Sequence, residues 1–210
     1  MSFTYQEVQD DALVLLKDAA QATYDDDLMA MLVNDAVQIV RKVVARQCPS
    51  MIWSTKAINL VDANAGPYEI SSDFESPLFL LDEYGKNVGE SYRGEFSVSD
   101  RSGKPDGYWI EGYAPANLYV NSTPAQAYAW TLYYIATVAR KAVGDFDDNM
   151  ALPDFLREPL VQWVKRFAAD SQEYDVTDED GKIRIMTDLV GDIMVSRRPK
   201  MEINISGVGF

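Results

Sequence analysis

The sequence predicts an α+β fold: a four-helix bundle, a β-rich insert between helices two and three, and an extended C-terminal tail. Three observations predict it. Four stretches carry helix caps or apolar residues at one-face helical spacing. Between the second and third of these, residues 51–121 break into short Tyr-, Ile-, Val- and Trp-rich runs punctuated by Asn, Gly, Pro and Ser, a strand-and-turn texture. Beyond about residue 175 the helical spacing fades. The expected organisation is therefore residues 1–50 with 122–175 as the helical bundle, 51–121 as the insert and 176–210 as an extended arm.

The first helix opens on a capping box. Thr4 takes the N-cap, Glu7 the third helical position, and Phe3 and Val8 the flanking apolar staple. Val8, Ala12, Leu15, Leu16 and Ala19 continue the spacing, so the helix is expected over 4–21. The second follows Asp25, Asp26 and Asp27, carboxylates suited to the positive end of a helix. Leu28, Met31, Leu32, Ile39, Val40 and Val43 form its expected stripe, and Pro49 stops it. In the insert, "YRGEFSVS" alternates Tyr92, Phe96 and Val98 against Arg93, Glu95 and Ser97. The turn-rich "DRSGKPDG" and then "YWIEGY" (108–113) complete an expected hairpin.

The third helix is read from "STPAQAYAWTLYYIATVARKAVG". Thr123 stands at the N-cap, Pro124 at the first position, and Gly144 ends it. Trp130, Tyr133 and Tyr134 leave it apolar on nearly all sides. Such a helix lies at the bundle centre or also meets another subunit, so these three residues are candidate subunit contacts. In the fourth, Leu156, Leu160, Trp163, Val164 and Phe167 repeat the spacing, with the regular helix expected from about Pro159. "KIRIMTDLVGDIMV" (182–195) has β character.

Composition removes whole classes of chemistry. The chain has no histidine and one cysteine, Cys48, so there is no intrachain disulfide, no Ser-His or Cys-His couple and no histidine ligand for zinc. No phosphate-binding loop or nucleophile elbow is present. "DFDDN" opens like a calcium loop, but Met150 and Leu156 occupy positions that need Gly and Glu. No cofactor or metal is expected. No apolar stretch reaches the roughly 20 residues that span a bilayer, and the N-terminal segment lacks the basic region of a signal peptide. Folding in a cytoplasm is the expectation. A net charge of −14 argues against wrapping nucleic acid, yet an acidic channel lets a duplex pass without sticking.

What remains is a chemistry of contacts, concentrated in "SRRPKMEINISGVGF" (196–210). Arg197, Arg198 and Lys200 stand against the single carboxylate of Glu202. Met201, Ile203 and Ile205 alternate with polar residues, and Val208 and Phe210 follow. Such a segment can add as a strand to a partner's sheet edge, and a basic arm on an acidic body steers toward an acidic partner. The alternatives are a last strand within its own chain, or docking on the next copy.

The order of elements resembles the head-to-tail adaptor proteins of short-tailed bacteriophages, the group that includes tail tubular protein A. The likeness covers residues 4–175. It is carried by "CPSMIWSTKAINL" and "DANAGPYEISSDF" after helix two, then by "AQAYAWTLYYIATVARKAVGD" and "LREPLVQWVKRFAADSQEYD". The resemblance implies a structural, non-enzymatic virion protein assembled in the host cytoplasm. It implies a ring, typically of twelve copies, under the portal, extending the DNA channel and presenting a platform for a downstream tail or nozzle protein. It also implies that a C-terminal segment reaches the portal. The arm carries no motif of the family, so Arg197, Arg198, Lys200, Met201, Ile203, Ile205, Val208 and Phe210 are assigned to portal binding by position and by the contact argument. The alternatives are another neck or tail assembly component, or a cell-wall hydrolase working through a carboxylate pair.

Overall fold

The computed structural model describes residues 3–18, 23–61, 64–91, 99–112, 115–150 and 152–172, with positions 180, 181, 183, 184, 187, 188 and 191. The chain divides into two compact units, Met1–Cys48 with Lys141–Phe210, and Pro49–Arg140.

In the first unit, α1 (Tyr5–Leu16), α2 (Asp26–Gln47) and α3 (Arg157–Ser171) pack on one another. The capping box forms as expected. Thr4 Oγ1 accepts from the Glu7 N–H at 3.1 Å, and Glu7 Oε2 accepts from the Thr4 N–H at 2.8 Å. The helix is shorter than predicted because Lys17 turns left-handed at φ 59° and caps it. Asp25 caps α2 by accepting from the Leu28 N–H. The buried face of α2 is Met29, Leu32, Val33, Ala36, Val37, Val40 and Val44, a rotation of the predicted stripe that leaves Met31 exposed. The helix is apolar over a wide arc, so several stripes satisfy the same period.

A 3-10 turn over Asp154–Leu156 precedes α3, which starts at Arg157. Pro159 falls in its first turn, where a backbone N–H has no intrahelical acceptor, so its absence costs nothing. Segment 146–150 closes over the start of α1: Gln6 N–H donates to the Phe146 carbonyl and Met150 N–H to that of Phe3. The buried Asn34 pins the point where the chain returns to this unit. It donates to the carbonyls of Ala30 (2.7 Å) and Lys141 (2.9 Å) and accepts from the Lys141 N–H (2.8 Å).

The second unit overturns the four-helix bundle. Its described residues hold nine strands, β1 (Trp53–Leu60), β2 (Tyr68–Glu69), β3 (Phe74–Leu81), β4 (Asn87–Glu90), β5 (Ser99–Gly103), β6 (Gly107–Glu111), β7 (Asn117–Val120), β8 (Ser122–Pro124) and β9 (Tyr128–Ala136). Seven form a nearly closed mixed sheet in the order β1-β9-β3-β4-β6-β7-β2. β5 and β8 pair separately and in parallel.

The predicted third helix is therefore β8 and β9, with β9 lying between β1 and β3. Two physical reasons account for the error. Trp, Tyr, Thr and Ile pack well on a pleated surface. An apolar run with no polar side is also what a strand covered on both faces displays, so helix and strand share that signal. The period is two: Trp130, Leu132, Tyr134 and Ala136 are buried in the sheet's core, while Thr131 and Tyr133 turn to the other face and are only half-buried.

Three smaller expectations change with it. "DRSGKPDG" is not all loop, since Ser99–Gly103 is β5. "YWIEGY" contributes β6, which pairs in parallel with β4 and antiparallel with β7. Its expected hairpin partner, with Tyr92, Phe96 and Val98, lies outside the described residues. The tail segment read as β is helical at each described position from 180 to 191; Ile183, Met186 and Val190 in fact stand at helical spacing. Gly191 comes so close to Gln47 that a Cβ there would meet Oε1 at 2.9 Å.

Candidate assembly surfaces

The residues expected at a subunit contact separate once β9 is a strand. Trp130 is buried in the core of the β unit, and its indole N–H donates to Glu83 Oε2 at 3.2 Å. Tyr134 is buried too, and its hydroxyl donates to Asp73 Oδ1 at 3.0 Å. Burial pushes the Tyr134 phenol up. Hydrogen bonds from Ser71 and then Tyr134 hold the Asp73 carboxyl below the usual carboxylate range, against desolvation.

Tyr133 is the member at the surface. On the outer face its ring stacks on Phe79 (centroids 4.5 Å apart) and meets Trp53 edge-on at 5.1 Å. The register produces this cluster: Tyr133 stands opposite Thr55 on β1 and Phe79 on β3. Trp53 is 39% exposed. Tyr and Trp are rigid, amphipathic anchors of protein contacts. Arg197, Arg198, Lys200, Met201, Ile203, Ile205, Val208 and Phe210 lie outside the described residues.

Sequence reasoning missed a second feature, at the β3–β4 turn. Asp82 N–H donates to the Lys86 carbonyl, Gly85 N–H to the Asp82 carbonyl, and Gly85 takes φ 75°, a three-residue hairpin loop whose left-handed position suits glycine. The Asp82 carboxylate accepts from the N–H groups of Tyr84 and Lys86 and from Lys104 Nζ at 2.7 Å. Lys104 also donates to Glu83 at 2.8 Å and sits 4.7 Å over the Tyr84 ring. The Lys104 hydrogen bond, helped by the two backbone donors, holds Asp82 below its usual range. Burial pushes Glu83 up, but its bonds from Lys104 and Trp130 outweigh this and leave it lowered. The two carboxylates in turn raise Lys104.

A cleft of about 410 Å³ lies at this clasp, between the hairpin and the 104–106 loop. The legible signal was "DEYGK", a turn between two apolar runs. Nothing local tied it to Lys104, about 20 residues away.

Among the described residues no group of three His, Cys, Asp or Glu side chains is placed to hold a metal. No helix among them is long and apolar enough to cross a membrane. The chain matches the family described as SU10 adaptor protein over residues 3–199 and belongs to that family. It is thus a phage adaptor protein, in agreement with the resemblance read from the sequence. No curated protein matches the chain.

Proposed function

We propose that this protein is a structural head-to-tail adaptor that forms a ring under the phage portal. The ring extends the DNA channel and presents a platform for a downstream tail or nozzle protein. Twelve copies is the number typical of the adaptors that the sequence resembles. Family membership across 197 of 210 residues is the observation that carries the reading. It implies interaction with other head and tail proteins and a place in the virion, and an adaptor rather than an enzyme.

The net charge of −14 supports passage of DNA without specific binding, because a surface rich in carboxylates repels phosphates. The basic, alternating segment 196–210 docks on the portal through Arg197, Arg198, Lys200, Met201, Ile203, Ile205, Val208 and Phe210. Of the candidate subunit contacts, Trp130 and Tyr134 are enclosed within their own unit. Tyr133, with Trp53 and Phe79, remains the contact available on the β unit.

Pull-down of purified portal by the full chain and by a chain lacking residues 196–210 tests the arm. Binding falls at least tenfold in the truncated protein while its helical circular dichroism persists. Equal binding by both removes the arm from the proposal.

A further inference from the structure

Between α3 and the basic arm the chain stays in contact with the helical unit. Its described positions from 180 to 191 are helical. Ile183 is buried and Thr187 and Gly191 are half-buried, whereas Asp180, Gly181, Arg184 and Asp188 are exposed. Residues four apart share one face of a helix, so the covered row is the side turned to the unit.

Two contacts show what that side lies against. Arg166 Nε on α3 donates to Asp180 Oδ1 at 2.6 Å. Further along, after a helical rise of roughly 16 Å, Gly191 stands against Gln47, the last residue of α2. A Cβ on Gly191 would meet Gln47 Oε1 at 2.9 Å and Nε2 at 3.3 Å. Glycine weakens a helix relative to alanine; here its missing side chain is what permits the approach.

We propose that this contact is a seat for the root of the C-terminal arm, with Gly191 and Gln47 as its positioning residues. Residues 192–210 then start from the end of α2 in every copy. The 19 residues beyond Gly191 reach roughly 65 Å at full extension. A tether starting at Gln172, the C-cap of α3, would be twice as long. For a body that also abuts the portal, the effective concentration of a tethered segment falls roughly as the −3/2 power of tether length, so the seat raises it about threefold. The inference rests on the arm's assignment to portal binding and adds where the arm begins and what fixes it there.

Hydrogen exchange across residues 180–191 of the full-length chain, without portal, reads the seat. Gly191→Leu raises helix propensity, so a helix that touched nothing would exchange more slowly. Against Gln47 the added side chain has no room, and exchange rises roughly tenfold. Gln47→Ala in the same chain clears the space and returns exchange to the wild-type rate or below it. Asp180→Lys reverses the charge facing Arg166 at an exposed position and speeds exchange about threefold; it keeps the test open if the leucine variant does not fold. In pull-downs on purified portal, Gly191→Leu binds about threefold more weakly, and adding Gln47→Ala restores binding.

Exchange in Gly191→Leu as slow as in the wild type, or no rescue by Gln47→Ala, overturns the seat. Faster exchange with unchanged portal binding overturns its positioning role and leaves the arm assigned to the portal. Equal portal binding by the chain lacking residues 196–210 removes the arm's assignment and the positioning role with it, whatever exchange shows of the seat.

Discussion

Asn34 offers the sharpest test of the helical unit. Its amide makes both backbone bonds to Lys141 and a third to the Ala30 carbonyl, so one side chain acts as the strand partner of the returning chain. Asn34→Leu keeps the branched shape and the number of side-chain heavy atoms and removes all three bonds. A net hydrogen bond is worth about 1 kcal/mol, and a stranded buried partner costs about 1–3 kcal/mol more. The two bonds to Lys141 are only partly buried, so water recovers part of the loss, and the working figure is about 2 kcal/mol. That corresponds to roughly a thirtyfold change in a local opening equilibrium.

Hydrogen exchange at the Lys141 amide reads this directly and does not require the two units to unfold together. Exchange rises by about that factor in Asn34→Leu. It rises less in Asn34→Asp, which keeps the acceptor for the Lys141 N–H. A change below threefold in the leucine variant would refute the claim that this side chain holds the return point.

Two further outcomes concern the β unit. Trp130→Ala empties a fully buried site and destabilises the sheet by about 3–5 kcal/mol, whereas Tyr133→Ala, on the outer face, costs less than half as much. Urea denaturation monitored by near-ultraviolet circular dichroism measures both, and equal losses would contradict the strand alternation. Asp82 and Glu83 have folded pKa values below their unfolded ones. Their contribution is therefore present above the unfolded carboxylate range, about pH 4, and is lost as pH falls through the folded values. Lys104→Met should shrink the loss of stability between neutral pH and about pH 2.5. An acid limb identical to wild type would show that the clasp contributes nothing.

The reach of sequence reading differs between the two units for identifiable reasons. The α1 cap was legible because it is local: Thr4 and Glu7 lie three residues apart, and side-chain geometry leaves few alternatives. The insert was legible as β from composition, but its strand order was not. β9 lies between β1 and β3 by pairings that span from about 50 to about 80 residues, and no local pattern encodes a partner. Thr123 and Pro124 imitate the start of a helix, yet Ser122–Pro124 pairs as a strand with β5. The surface aromatics were legible as a type and not as a place. Trp130, Tyr133 and Tyr134 were equivalent as helix residues, and the pleat assigns one to the outside and two to the core.

The sequence by itself determined that this chain has no histidine and a single cysteine, where α1 and α2 begin, and which family it resembles. These follow from residue identity and from interactions within one turn of chain. Only the tertiary structure decided that the most apolar stretch is a strand, and so which aromatics meet solvent. In a segment apolar on every side, local preference is nearly balanced between helix and strand. Burial against distant neighbours supplies the difference.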